Sequence, residues 1–319
     1  MNLPLLSDRI GSEEDYIELD EIGNGSFGQI KTVIDRRNNK IYAKKDIEFE
    51  REDDRDYFFK EVLTLYLGKI HKNLPILGLR AFLFPSGSNK GFIITKYFEN
   101  GALSNYIDSN KRPKTVLNDT QKSKIIYGTA FGLAYLHKQS LIHRDIKPSN
   151  ILLDKNLEPV IADFGFSTSL RILKTFNIGT YMYMAPEIYN EDCDEGKYTT
   201  AADVFSFAVM TLEIITHSLY MKGCRDEKDA IRQMKKGNRY KISSKCPENM
   251  KCLIEACWKQ NPLERMTMEE VVYQMKKKNF LLPNCDIKEF MIYVEKLDQA
   301  ATSNGSEPEE CEDTKEFDF

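Results

Sequence analysis

LIHRDIKPSN, residues Leu141 to Asn150, sets an acid, a base and an amide a few positions apart, just after an apolar, helix-like run that ends in AYLHKQS. Taken alone it reads in two ways. In one it is a solvated turn: Arg144, Asp145 and Lys147 are charged, Pro148 blocks a helix, and Asn150 tolerates unusual backbone angles. In the other, Asp145, Lys147 and Asn150 are held together to carry out chemistry. The rest of the chain decides between them.

Outward from this loop the sequence divides into two regions. From Tyr16 to Phe98 it reads mainly as short strands. DYIELDEI and GQIKTVIDR alternate on either side of a glycine-rich turn, and NNKIYAKKDI follows a polar turn like the second arm of a hairpin. One helix interrupts them at RDYFFKEVLTLYLGKI, where Phe58, Val62, Leu65 and Leu67 recur near helical spacing and Gly68 is the expected stop. PILGLRAFLF and KGFIITKYF add two strands. After ENGAL the pattern turns helical. TQKSKIIYGTAFGLAYLHKQ is a long helix with Asn118, Asp119 or Thr120 as its N-cap, and NILLD and PVIADF are short strands. TAADVFSFAVMTLEIIT, KDAIRQMKKG, NMKCLIEACWKQ and MTMEEVVYQMKKK are further helices. A small, mostly β lobe therefore precedes a larger, mostly α lobe, with a hinge near Lys96 to Gly101.

A chain of 319 residues is long enough for one large bilobal unit with a sizeable core. The formal charge is −4, but residues Ser303 to Phe319 hold seven acids against one lysine, so the remainder is about +2. A nearly neutral body without a basic stripe argues against nucleic acid as a partner. The seven cysteines form no C-x-x-C pair and read as reduced, structural thiols. No run approaches the roughly 18 apolar residues of a membrane span, and the N-terminus lacks a basic segment before its short apolar patch. A soluble, cytoplasmic protein is the expectation, with an acidic, disordered end.

In the β region, EIGNGSFGQI carries Gly23, Gly25 and Gly28 in a G-x-G-x-x-G pattern. A dinucleotide-binding turn runs from strand into helix, whereas QIKTVID alternates like a strand, so the glycines open a hairpin whose backbone N–H groups can approach polyphosphate. In IYAKK, Lys45 lies two residues after Ala43 and shares its side of the strand. It is either a surface charge or an inward cation that needs an anion, and nucleotide phosphate or the helix acid Glu61 can supply one.

In order, the chain offers GNGSFG, YAKK, the helix Glu61, HRDIKPSN, ADFG, GTYMYMAPE, DVFSFA and NPLER, and with these it resembles the eukaryotic protein kinase family over roughly Tyr16 to Asn279. The resemblance implies an α+β, bilobal protein kinase fold: a small β-rich N-lobe with one main helix, and a larger helical C-lobe. It divides the chain into an N-terminal extension (1–15), a kinase domain (16–279, lobes 16–97 and 98–279), a C-terminal helical extension (280–302) and an acidic tail (303–319). It further implies that ATP and Mg²⁺ are used in phosphoryl transfer to a protein substrate. By it, Asp145 is the base, Lys147 lies beside the transferred phosphate, and Asn150 and Asp163 hold Mg²⁺. Lys45, held by Glu61, binds the α and β phosphates beneath the loop of Ile22, Gly23, Gly25, Ser26, Phe27 and Gly28. Ile30, Ala43 and Leu152 sandwich adenine, Thr95 guards the back pocket, and the backbone of Lys96 and Phe98 pairs with the adenine edge. Leu65, Leu77, His143 and Phe164 stack as a spine anchored by Asp203. His143 is thus a packing residue, and Glu187 and Arg265 form a buried pair.

Lys147 and Thr180 resemble the serine/threonine type, while the run from Gly237 to Thr267 looks like the tyrosine-kinase-like group. Ser167, Thr168, Ser169 and Thr175 are the candidate phosphorylation sites, Thr175 first, with Arg144 as a charge for an added phosphate to pair with. Phe205, Ala208 and Met266 depart from the family pattern at packing positions. A catalytically silent scaffold on the same fold is the rival reading, against which every catalytic position is filled. The oligomeric state is not readable.

Overall fold

A computed structural model describes residues 9–302 apart from 26–27, 51, 72, 85–88, 108–114, 170–180, 189–198, 223 and 225. The N-terminal region forms an antiparallel sheet of order β1-β2-β3-β5-β4, from β1 (Tyr16–Gly25), β2 (Gly28–Asp35), β3 (Lys40–Glu48), β4 (Leu79–Leu83) and β5 (Lys90–Lys96). The β2–β3 turn puts Asn39 at φ 54°, a left-handed conformation that asparagine tolerates. It is locked by Asp35, fully buried, which accepts from Arg37 Nε at 2.9 Å and Arg80 Nη2 at 3.3 Å. Burial alone would raise the Asp35 pKa; the Arg37 hydrogen bonds outweigh it and hold the carboxyl below its ordinary value. Ahead of β1, Gly11 N–H donates to Phe82 O and Phe82 N–H to Arg9 O, both at 2.8 Å, so residues 9–11 extend the sheet edge at β4. Tyr16, Val33, Ala81, Phe92 and Ile94 make a small core on one face of the sheet.

The other face carries helix α1 (Glu52–Ile70), which buries Phe58, Val62 and Leu65. The helix does not stop at Gly68. Glycine is needed there for a close approach: a Cβ at Gly68 would sit 2.3 Å from Leu77 O. The expected strand PILGLRAFLF is shorter than read, because part of the preceding segment is tied elsewhere. Leu77 N–H donates to Ile161 O, and Ile161 N–H to Pro75 O, both at 2.9 Å, fastening the α1–β4 connection to the lower lobe.

In the lower lobe, helix α2 (Ser104–Ile107) precedes α3 (Asp119–Lys138), whose N-cap is Asn118 in a reciprocal capping box with Gln121. Then follow β6 (Leu141–Ile142), β7 (Ile151–Leu153), β8 (Pro159–Ile161) and β9 (Thr168–Ser169), paired as β6 with β9 and β7 with β8. Helices α4 (Thr200–Thr216), α5 (Glu227–Lys235), α6 (Glu248–Cys257), α7 (Met268–Lys276) and α8 (Ile287–Thr302) complete the lobe. Burial on α3 extends well beyond a single stripe. Thr120, Ser123 to Ala130, Gly132, Leu133 and Leu136 are all buried, because α4, α7, α8 and β8 pack around the helix. Helix α8 buries Phe290, Tyr293, Val294, Leu297 and Ala300 along one face and meets α3 through an edge-to-face contact of Phe290 with Tyr127, ring centroids 5.3 Å apart. Cys224, Cys246, Cys252, Cys257 and Cys285 are free thiols, and burial pushes Cys257 up to about 12. Among the described residues no helix is long and apolar enough to cross a membrane.

Candidate active site

Pro148 opens a short turn over Pro148–Asn150, where its missing N–H costs nothing, and this turn brings Asn150 back onto Asp145. Asn150 Nδ2 donates to Asp145 O at 2.8 Å and to Asp145 Oδ2 at 2.9 Å, and Lys147 Nζ lies 2.7 Å from the same Oδ2. Asp145 is only 3% exposed, so its carboxylate is aimed rather than solvated. The loop is held from below by Asp203 of α4. This carboxylate accepts the N–H of His143 at 2.8 Å and of Arg144 at 2.9 Å, with Arg144 at φ 74°. His137 Nε2 lies 2.9 Å from Asp203 as well. Burial works to raise the Asp203 pKa, and the hydrogen bond and charge of His137, with His143, more than offset it, so the group stays below its ordinary value. His143 is buried, with Nδ1 accepting from Asp145 N–H at 3.3 Å and Nε2 donating to Ala162 O at 3.0 Å. Both ring nitrogens are engaged inside the fold, as the packing reading expects.

Across the sheet, Lys45 Nζ lies 2.7 and 2.9 Å from the two Glu61 oxygens and 3.3 Å from Asp163 Oδ1. Lys45 and Glu61 are buried, which removes the surface-charge reading. Burial pulls the Lys45 ammonium down, and the Glu61 and Asp163 carboxylates overcome it and leave its pKa above the ordinary value. Asp163 sits at φ 60°, ψ 73°, and the turn after it drives Phe164 into the core, 5.2 Å from the His143 ring. Leu65 and Leu77 are buried in the same core, and α1 packs on the Phe164 turn. Ala162 N–H donates to Asn150 O at 2.9 Å, so the Lys45–Glu61–Asp163 triad and the Asp145–Lys147–Asn150 group are joined through one backbone hydrogen bond.

Strand register sets the surroundings of Lys45. Ile30 lies opposite Lys45, and Ala43, two residues away, lies opposite Thr95, so all four share one face of the sheet. Ile30, Ala43, Thr95 and Leu152 are half-buried. Lys96 is exposed with its ammonium 5.1 Å over the Phe98 ring. In the glycine hairpin Gly25 pairs with Gly28, and a Cβ at Gly28 would fall 1.7 Å from Asp46 O, so only glycine fits there. Gly23 has open space around it, and Ile22 is exposed. Ser26 and Phe27 lie outside the described residues, as do Thr175 and Thr180. Of the remaining candidate phosphorylation sites, Ser167 is buried at 3% exposure.

Beside the loop, Arg265 Nη1 and Nη2 grip the Glu187 carboxylate at 2.6 and 2.8 Å, and Arg265 also donates to Ala201 O and Lys259 O, both at 2.8 Å. Phe205, one of the departures from the family pattern, is fully buried with the guanidinium carbons of Arg239 and Arg265 at 5.2 and 5.1 Å from its ring. Burial and the neighbouring Arg265 pull Arg239 down to about 10. Two contacts went unread in the sequence. His137 on Asp203 was signalled only by its place one residue past Leu136 on the apolar α3. Tyr183, donating to Glu213 Oε2 at 2.5 Å, carried no signal at all.

A bilobal fold with this buried lysine and glutamate and a part-exposed aspartate, joined to an Asp-x-Lys-x-x-Asn loop, defines a class, and residues 16–276 match the family model of the protein kinase domain. The chain belongs to the protein kinase family. It is 30% identical over 257 residues to mitogen-activated protein kinase kinase kinase 7 of Drosophila melanogaster, covering 79% of this chain and 36% of that protein. It is 40% identical over 201 residues to cysteine-rich receptor-like protein kinase 42 of Arabidopsis thaliana, covering 60% of this chain and 29% of the relative. It is 34% identical over 188 residues to the Arabidopsis serine/threonine/tyrosine-protein kinase HT1, covering 58% and 46%. The chain thus spans less than half the length of each of these relatives.

Proposed function

We propose that the chain is a serine/threonine protein kinase that transfers the γ-phosphate of ATP to hydroxyls of a protein substrate. The observation that carries this reading is the continuous hydrogen-bonded set that runs from Glu61 through Lys45, Asp163 and Ala162 to Asn150, Asp145 and Lys147. In phosphoryl transfer the protein mainly positions two oxygens and neutralises charge, and a pre-paired lysine with an aimed carboxylate does both. Asp145 takes the proton of the acceptor hydroxyl, and Lys147, already at 2.7 Å from it, balances the charge on the moving phosphoryl group. Lys45 is fixed by Glu61 for the α and β phosphates, beneath the hairpin at which Gly28 admits no side chain.

The donor set fits Mg²⁺. Asp163 offers a carboxylate, and Asn150, with its amide nitrogen spent on Asp145, offers its side-chain oxygen, both hard donors. Mg²⁺ held by Asn150 and Asp163 would offset the charge of the triphosphate. Serine/threonine choice rests on Lys147, and among the relatives HT1 is named a serine/threonine/tyrosine-protein kinase. Phosphoamino-acid analysis of a basic protein after incubation with ATP labelled at the γ position tests it. Phosphoserine and phosphothreonine are expected, and phosphotyrosine alone would refute the assignment.

A further inference from the structure

A groove of about 810 Å³ crosses the hinge between the lobes, lined by none of Lys45, Asp145, Asn150 or Asp163. Its upper wall comes from the start of β3, the end of α1 and the start of β4; its floor is the β7–β8 turn and α8. The two sides differ in charge. On the wall, Lys96 pairs with Tyr42 across β5 and β3, Lys40 lies two residues from Tyr42 on the same face, and the Arg80 guanidinium lies 5.4 Å over the Tyr42 ring. Lys40 and Lys96 are exposed, and among the described residues neither has a carboxylate partner. The acids of the floor are already committed. Glu158 is paired with Lys124 and Lys296, and Asp154 caps its own turn by accepting the N–H of Asn156 and Glu158 at 2.8 and 2.9 Å. Between them lies apolar surface from Pro75, Pro159 and Val160.

Helix α8 itself builds the floor, through Tyr293, Lys296 and Leu297, and ends at Thr302. The chain therefore leaves the helix within about 8 Å, five residues at 1.5 Å each, of a residue that lines the groove. Residues 303–319 then carry the charge of −6 together with Phe317 and Phe319. At about 3.3 Å per extended residue, this segment is long enough to lie along the groove several times over.

We propose that residues 303–319 dock in cis in this groove, their carboxylates against Lys40 and Lys96 and an aromatic side chain on the apolar surface between wall and floor. Exposed ion pairs are individually weak and salt-sensitive, but a tethered segment is presented at an effective concentration on the order of millimolar, which lets weak contacts hold it. Because wall and floor belong to different lobes, a docked tail bridges the hinge from outside the catalytic constellation.

The test is zero-length carbodiimide coupling of the full chain, mixed with ¹⁵N-labelled copies, read by mass spectrometry, alongside amide exchange. Isopeptide links from Glu307, Glu309, Glu310, Glu312 or Asp313 to Lys40 or Lys96 within one copy are expected, lost at about 0.5 M salt where screening is over a few ångströms. Amides of residues 73–80 should exchange more slowly in the wild type than in a variant with Glu307, Glu309, Glu310 and Glu312 all replaced by Gln. These substitutions lie beyond α8 and leave the folded lobes unaltered in sequence. Links only between copies, links only to lysines outside the groove, or no links with equal exchange in both proteins would each overturn the proposal.

Discussion

Asp145 and Lys45 are both buried and both hydrogen-bonded, yet the fold uses them differently. Asp145→Asn keeps the size of the side chain and a hydrogen-bonding group for Asn150, so it should leave thermal stability nearly unchanged while lowering turnover about 10²- to 10⁴-fold, the usual loss for a positioned base. Lys45→Met strands Glu61, which is 4% exposed, beside Asp163; melting should report a loss of about 3–5 kcal/mol in addition to lost transfer. Asp203 gives a prediction in pH. Its folded pKa lies below the ordinary 3.8, so the stability it contributes is fully present above that value and disappears as pH falls through the folded pKa. Asp203→Asn should therefore cost about 1.5–3 kcal/mol at neutral pH, the range for hydrogen bonds to a charged group. In acid denaturation the difference from wild type should shrink below about pH 4. The proposed catalytic residues were legible because their spacing along the chain is short: Asp145, Lys147 and Asn150 lie in one loop. The partners Glu61 and Asp203 are far away in sequence: Glu61 was read only as one of two anions that could serve Lys45, and Asp203 was pointed to only by the resemblance to a family.

At the scale of elements, strands and helices followed their alternation and periodicity, and the misses came where a backbone was committed to another element. Gly68 was read as a helix end because glycine breaks helices, but the chain uses it to bring α1 against Leu77 O. β4 begins at Leu79 because Pro75 and Leu77 are hydrogen-bonded to β8. The same logic governs Gly128 on α3. Alanine normally favours a helix over glycine by roughly 1 kcal/mol. Here a Cβ would sit 2.2 Å from the Tyr293 hydroxyl and 2.6 Å from Pro159 Cγ, so Gly128→Ala should lower the melting temperature by several degrees and loosen α8. A melting temperature at or above the wild-type value would show that α8 yields without cost. Gly28→Ala has no such freedom, since its neighbour is the Asp46 carbonyl, and KM for ATP should rise with little change at saturating nucleotide.

Over the whole molecule, two lobes are fastened by the α1–β4 connection on β8 and by the hinge, and the constellation lies where those ties converge. α8 and residues 9–15 lie outside the matched family segment or at its edge, yet α8 is packed into the lower lobe through α3 and residues 9–11 pair with β4. The sequence named these only as an N-terminal extension and a C-terminal helical extension, because what they cover is set by the shape of another element. The central claim is that this arrangement turns over. It is tested most directly by Mg²⁺-dependent ADP formation and phosphoprotein yield, measured together with thermal stabilisation by ATP, on the wild type, Asp145→Asn and Lys45→Met. Transfer to serine or threonine in the wild type is predicted, lost in both variants, with stabilisation by ATP retained in Asp145→Asn. Stabilisation of the wild type by ATP without any phosphoryl transfer would contradict it.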